Sequence, residues 1–226
     1  MRGDPGGRVT FGILATLAQT FVPRIVRNVQ ERFPNISLRI IEGSTSGLRE
    51  ALLAGRANAA IMTDLGDEPH LELTPVVSEL IAIFAPVGLE RPRPFYTLEE
   101  LVATPIIASA GLHAIVNELI RPRGLRLNVE VEVDSVDAVR RILMLGMGIT
   151  LQPVNALRED VESGDFMAYP VADASLHRML ALAHPGTEVS PSTRQVLLVA
   201  HSEMTKVAAE GFFARVPVRI ARSDVG

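Results

Sequence analysis

The chain has 226 residues, is 47% hydrophobic and 21% charged, and carries a formal net charge of −4. That length and apolar content can fill one sizeable core or two smaller lobes, and the acidic balance argues against a protein that coats nucleic acid. With no Cys, disulfides and Cys-based zinc sites are excluded; no apolar run is long enough to span a membrane, and Met1-Arg2-Gly3-Asp4-Pro5-Gly6-Gly7 has no apolar stretch of a signal peptide.

The first predicted strand is Arg8-Val9-Thr10-Phe11-Gly12-Ile13, followed by a polar turn at Ala15-Thr16. Ala18, Val22, Ile25 and Val29 then recur at helical spacing until Phe33-Pro34-Asn35, where Pro cannot continue a helix. Ile36, Leu38 and Ile40 alternate as a strand. Glu42 to Gly47 is a turn rich in capping residues, and Leu48, Ala51 and Leu52 start a helix that stops at Gly55. Ala59-Ala60-Ile61-Met62 is a short buried strand ending at Thr63-Asp64. Strands and helices in alternation predict an α/β unit with parallel strands.

The same order recurs downstream. Pro105-Ile106-Ile107-Ala108 is a strand, Ser109-Ala110-Gly111 a turn, and Leu112, Ile115, Val116 and Leu119 mark a helix closed by Pro122 and Gly124. Val129, Val131 and Val133 alternate as a strand. Asp134-Ser135 caps a helix carrying Val136, Val139, Ile142 and Leu143, and Ile149-Thr150-Leu151 is the strand after Gly146. Gly146 stands in this half where Gly55 stands in the first. Leu80 to Pro86 and Met179 to Pro185 are continuously apolar, as strands buried on both faces would be. If both cross between halves, the chain leaves the first lobe, builds the second and returns, and Pro191 to about Ala209 is the returning helix. The expected division is 8–82 with 184–209 for lobe one and 83–183 for lobe two, with flexible ends at 1–7 and 210–226.

Gly12, Phe33-Pro34, Leu38-Arg39-Ile40, Glu42-Gly43-x-x-x-Gly47-Leu48, Leu52-x-x-Gly55-Arg56 and Ala59-Ala60-Ile61 form a series that resembles the effector-binding domain of LysR-type bacterial transcription regulators. Asp134-Ser135, Val139 and Gly146-Met147-Gly148-Ile149-x-Leu151-x-Pro153 are similar to the corresponding segment of that family's second lobe. The resemblance covers roughly residues 8 to 206. It implies two Rossmann-like lobes joined by two crossover strands, the fold of type 2 periplasmic binding proteins. It implies a small-molecule effector, a carboxylate or other anion, held between the lobes. It also implies a homodimer, or a tetramer of the parent protein, and DNA binding only through an N-terminal winged helix that nothing before Val9 supplies. No cofactor, metal or membrane partner is expected, and the expected location is cytoplasmic.

In open parallel sheets ligands bind beyond the carboxyl ends of the strands, where helix N-termini present free N–H groups. Ala15-Thr16-Leu17, Ser44-Thr45-Ser46, Ser109-Ala110-Gly111 and Asp134-Ser135 are the turns so placed. Each hydroxyl among them, taken alone, reads more readily as an N-cap. The resemblance favours Thr16, Thr45 and Ser109 as effector contacts, and Thr150 and Gln152, read as lying just past the last strand of lobe two, come next. His113, one turn into its helix, either contacts the effector or is a solvated residue; Asp64 more readily begins a loop. Gly43-Ser44-Thr45-Ser46-Gly47 sits like a nucleophile elbow, but Thr45 holds the position that needs Ser. The chain is therefore read as a sensor rather than an enzyme, with a stand-alone solute-binding protein of the same fold as the alternative.

Overall fold

A helix that carries the chain back to the same end of a sheet makes successive strands parallel. The computed structural model, which describes residues 5–64, 66, 68–89, 91–186 and 188–218, shows this arrangement twice. The elements of the first half are β1 (Gly7–Leu14), α1 (Ala15–Arg32), β2 (Ile36–Gly43), α2 (Thr45–Leu53) and β3 (Ala59–Thr63). After β4 (Leu71–Pro86) come α3 (Leu98–Ala103), β5 (Ile106–Ala108), α4 (Ala110–Ile120), β6 (Val129–Glu132), α5 (Val136–Met144) and β7 (Ile149–Pro153). The chain ends with α6 (Arg158–Ser163), β8 (Phe166–Tyr169), β9 (His177–Pro185) and α7 (Pro191–Ala209). Its described residues divide into two compact units: the first runs to Ser78 and resumes over Arg178–Phe213, and the second takes Glu79–His177 and the described residues from Ala214. β4 and β9 are thus the strands along which the chain passes from one unit to the other.

In the first unit β1 is flanked by β2 and β3, both parallel to it, and β9 runs antiparallel to β3. The helix begins at Ala15, so the turn expected at Ala15-Thr16 is the first turn of α1 itself. Leu17, Ala18, Phe21, Ile25 and Val29 are buried, one stripe at helical spacing, and Pro23 sits inside the helix on its exposed side. A Cβ on Gly12 would lie 2.8 Å from Leu48 Cδ2 and 3.0 Å from Ala60 Cβ, so that face of the sheet belongs to α2. Successive right-handed crossovers, outward to β2 and back past β1 to β3, put α1 on the other face. Side chains alternate along a strand. Phe11, Ile13 and Ile61, which register places on one side, therefore face α1.

In the second unit β7 lies between β4, to which it is antiparallel, and β5, to which it is parallel; β6 continues the sheet beyond β5, and β8 pairs with β4. Sequence periodicity did not reveal α3, α6 or β8, each six residues or fewer. The start of α3 is nonetheless a capping box. Thr97 Oγ1 accepts from the Glu100 N–H at 3.2 Å and Glu100 Oε2 accepts from the Thr97 N–H at 3.0 Å, and that second bond holds the Glu100 carboxyl below its ordinary value. Fully buried Glu79 accepts from Asn155 Nδ2 at 2.6 Å. Burial pulls the nearby Arg158 guanidinium below its usual value, against the opposing pull of Glu162 and Glu79. Gly55 and Gly146, matched in sequence, both take the left-handed conformation, with φ of 67° and 70°.

Within the spans read as flexible, Gly7 opens β1, Phe213 is buried with its ring stacked on Phe21 at 5.8 Å, and Pro217 is buried. Residues 1–4 and 219–226 lie outside the described residues.

The close approach at Gly12 gives a stability test. Gly12→Ala forces Leu48 or the β1–β3 pair to move and should destabilise the chain by about 1–3 kcal/mol, read as a lower midpoint in thermal or urea unfolding. Gly111→Ala, where an added Cβ meets nothing within 4 Å, is the control and should not lower it.

Candidate functional site

The carboxyl ends of β1, β2 and β3 deliver the starts of α1 and α2 and the pair Thr63-Asp64 to one edge of the first unit. Ser44 is the N-cap of α2: its Oγ accepts from the Gly47 N–H at 3.3 Å and lies 3.0 Å from Ser46 Oγ. Thr45 Oγ1 accepts from the Thr63 N–H at 3.3 Å, which ties the start of α2 to the end of β3. The start of α1 is different. Its N-cap is Leu14, which provides no side-chain acceptor. Thr16 Oγ1 instead accepts from Arg178 Nη2 at 2.7 Å, and Arg178 is only 8% exposed. The Leu17 side chain is in the core, which leaves only its backbone for a ligand.

Thr63 is 2% exposed, and its hydroxyl has no hydrogen-bond partner among the described residues. A buried hydroxyl left unpaired costs of order 1–3 kcal/mol. Asp64 fits the loop reading: its N–H donates to the Met179 carbonyl and its Oδ1 accepts from the Gly66 N–H at 2.9 Å.

In the second unit Ser109 caps α4, accepting from the Leu112 N–H at 3.3 Å, and Ser135 caps α5, accepting from the Ala138 N–H at 3.3 Å. Ala110 and Gly111 belong to the first turn of α4 rather than to a preceding turn. Asp134 was expected to cap α5 together with Ser135. It serves α4 instead, its Oδ1 accepting from the Ala110 N–H at 3.2 Å. His113 stands half-buried with Nδ1 3.6 Å from Glu132 Oε2. Thr150 and Gln152 were placed just past the last strand; both lie inside β7 and are buried, because the strand runs on to Pro153. Thr150 Oγ1 donates to the Ile107 carbonyl at 2.7 Å, and Gln152 Nε2 approaches Thr150 Oγ1 at 3.5 Å.

Sequence reasoning therefore missed two residues at the edge of unit one. Thr63 carries a readable signal, a hydroxyl ending an apolar run at the carboxyl end of a parallel strand. Arg178 carries none, since it reaches Thr16 from 162 residues further along the chain.

The family description "LysR substrate binding domain" matches residues 2–205. The chain is similar to the HTH-type transcriptional regulator BbuR of Bordetella bronchiseptica, 24% identical over 91% of this chain and 65% of that protein. In structure it is similar to a C206 mutant of Corynebacterium glutamicum OxyR, with a TM-score of 0.77, 21% identity and coverage of 96% of this chain and 71% of that one. It is also similar to the effector binding domain of QuiR in complex with shikimate, with a TM-score of 0.77, 17% identity and coverage of 89% and 98%. The chain spans less than two thirds of the length of the first curated relatives it matches.

The bond from Thr150 to Ile107 yields a test of its structural role. Thr150→Val, nearly isosteric, leaves a buried carbonyl without that donor and should lower stability by about 1–3 kcal/mol, measured on the ligand-free chain by urea unfolding.

Proposed function

The chain belongs to the LysR substrate binding domain family, and we propose that it is the effector-sensing part of a DNA-binding transcription regulator, responding to a small organic anion. The observation that carries the reading is the set of hydroxyl-bearing helix starts at the carboxyl ends of parallel strands, around Thr16, Thr45 and Ser46 in unit one and Ser109 and Ser135 in unit two. Backbone N–H groups and small hydroxyls at such helix starts suit an oxygen-rich ligand. QuiR, a structural relative, holds shikimate. A ligand can alter the parent protein's behaviour on DNA only by binding one conformation better than another. DNA contact itself belongs to a part of the parent outside this chain. Its net charge of −4 offers no basic surface excess for phosphates.

The reading is of a sensor and not of an enzyme. Catalysis at the Ser44-Thr45-Ser46 turn would need a base within hydrogen-bond reach of a nucleophile. The hydroxyls there bond to backbone N–H groups or to each other. No described helix is long and apolar enough to cross a membrane, and a regulator of this class would work in the cytoplasm, where its DNA is.

We also propose that the chain pairs with a second copy through α1 and α4. Beyond the buried stripe of α1, Val22 and Val26 remain half-exposed. On α4, Leu112, Val116 and Ile120 are buried, while Ile115 is half-exposed and Leu119 is 46% exposed. Each helix therefore presents apolar side chains that its own unit does not cover, as a symmetric interface between two copies requires.

Two outcomes are expected. A thermal-shift screen of small organic acids, shikimate among them, should find a ligand that stabilises the chain by on the order of 2–3 kcal/mol at a hundredfold excess over its Kd. Thr16→Ala and Thr45→Ala should each weaken that ligand by about 1 kcal/mol; binding unchanged in both folded variants would sink the site. Light scattering at roughly tens of micromolar, where a standard-size interface holds, should report a dimer, and Leu119→Arg should shift it towards monomer. Monomer alone in the unmodified chain would remove the pairing proposal.

A further inference from the structure

Lys206 is the one Lys among 22 Lys and Arg side chains. A guanidinium stays protonated in proteins, whereas a Lys amine gives up its proton and becomes a nucleophile. Acylation of a side-chain amine in this chain therefore falls on a single position, and with no Cys no thiol competes for the acyl group. That position is open to reagents: the Lys206 side chain is 60% exposed, in the last turn of α7.

The group that Lys206 holds is not exposed. Its Nζ donates to Glu203 Oε1 at 2.7 Å, and the Glu203 side chain is only 4% exposed. Three residues apart on a helix, the two side chains share one face. Glu203 stands among the buried residues of α7, with Val199, Ala200, Met204 and Val207. Its other partner among the described ion pairs is Arg24 of α1, whose Nη1 is 3.9 Å from Glu203 Oε2, beyond hydrogen-bond reach. A buried carboxylate needs a paired charge, and removing its partner costs far more than an exposed ion pair contributes. The Lys206 ammonium also sits at the negative end of the helix dipole. One accessible amine thus decides whether a carboxylate at the α1–α7 contact is neutralised.

We propose that Lys206 is an acylation site, and that an activated acyl group transferred to it from an acyl phosphate or an acyl thioester weakens the packing of α7 on α1. The deprotonated Nζ attacks the acyl carbonyl carbon and a C–N bond forms. The bond from that carbon to the phosphate oxygen or the thioester sulfur breaks, and phosphate or thiol leaves. Of the two protons the ammonium loses, one goes to the leaving group and one to water. The resulting amide keeps one N–H that can donate to Glu203, but it carries no charge. Glu203 is then left buried with Arg24, at 3.9 Å, as its charged partner among the described residues, and the last turn of α7 loses its cation.

The test incubates the full chain with acetyl phosphate and, separately, with acetyl-CoA, and maps acetyl groups by peptide mass spectrometry. At least one donor should acetylate Lys206 in the folded chain, and which one does so identifies the source. The acetylated chain should melt about 5 °C or more below the untreated chain, and its α7 amides should exchange hydrogen faster. Lys206→Gln, which also lacks the charge, should reproduce the drop without reagent. Lys206→Arg should melt like the unmodified chain and respond to neither donor, which controls for acetylation elsewhere. Glu203→Gln separates the buried pair from a general effect of acylation. With no carboxylate left to neutralise, acetylation should lower its midpoint only slightly, through the helix end. If Glu203→Gln fails to fold, the contrast between Lys206→Gln and Lys206→Arg decides alone, and equal midpoints for those two would count against the site. Lys206 left unmodified by both donors, an acetylated chain that melts with the untreated one, or a drop of the same size in Glu203→Gln would each overturn the proposal.

Discussion

A helix that follows a parallel strand opens with N–H groups that its own turns cannot satisfy, and the strand has just delivered them to the edge of the sheet. Every unit of this kind must find acceptors for those donors, and the supply decides what the edge can do. This chain meets the demand unevenly. Ser44, Ser109 and Ser135 each cap a helix with their own hydroxyl, and Asp134 adds a carboxylate to the start of α4. The start of α1, the longest helix of the first half, has no such cap. Of these four helix starts, that of α1 alone is left without a side-chain cap.

Charge follows the same division. Basic side chains are almost all Arg, with Lys206 the only Lys, and Lys206 pairs with buried Glu203 in α7 at 2.7 Å. Many of the described Arg side chains meet carboxylates, among them Arg49 with Glu68, Arg91 with Glu100 and Arg140 with Asp160. Arg178 gives one of its bonds to the hydroxyl of Thr16, which ties β9 to the first turn of α1.

Much of the fold was legible because the alternation of short apolar strands with helices at 3.6-residue spacing needs no tertiary information. The match of Gly55 with Gly146 rested on a helix end requiring a left-handed residue, and both glycines have that conformation. Short elements were illegible: α3 and α6, six residues each, are too brief for periodicity to separate from a loop. The starts of α1, α2 and α4 fall inside the turns read ahead of them, and the wiring of the helix starts was not legible. Asp134 adjoins α5 in sequence and bonds α4 in space, a pairing across 24 residues that no local rule supplies. Thr150 and Gln152 were read as lying just past the last strand, yet β7 continues through both and Thr150 finds its acceptor on the neighbouring strand. A polar residue inside a short strand reads as a terminus whenever its cross-strand partner is unseen.

The two halves share one plan, strand and helix in the same order with glycine closing the same helix, and differ at single residues of β3 and β7. Thr63 ends β3 with a hydroxyl that the folded chain does not satisfy, whereas Thr150 in β7 spends its proton on Ile107. A Val at position 63 would pack the same volume without the unpaired group, so the free chain carries a penalty that packing does not require. Such a penalty disappears in any complex that gives the hydroxyl an acceptor. The stabilisation then appears only when ligand is present, which turns a local defect into a difference in free energy between bound and empty states. A sensor needs that difference more than it needs the last increment of stability. An unsatisfied hydroxyl in unit one and a bonded one in unit two thus set the two halves apart at Thr63 and Thr150.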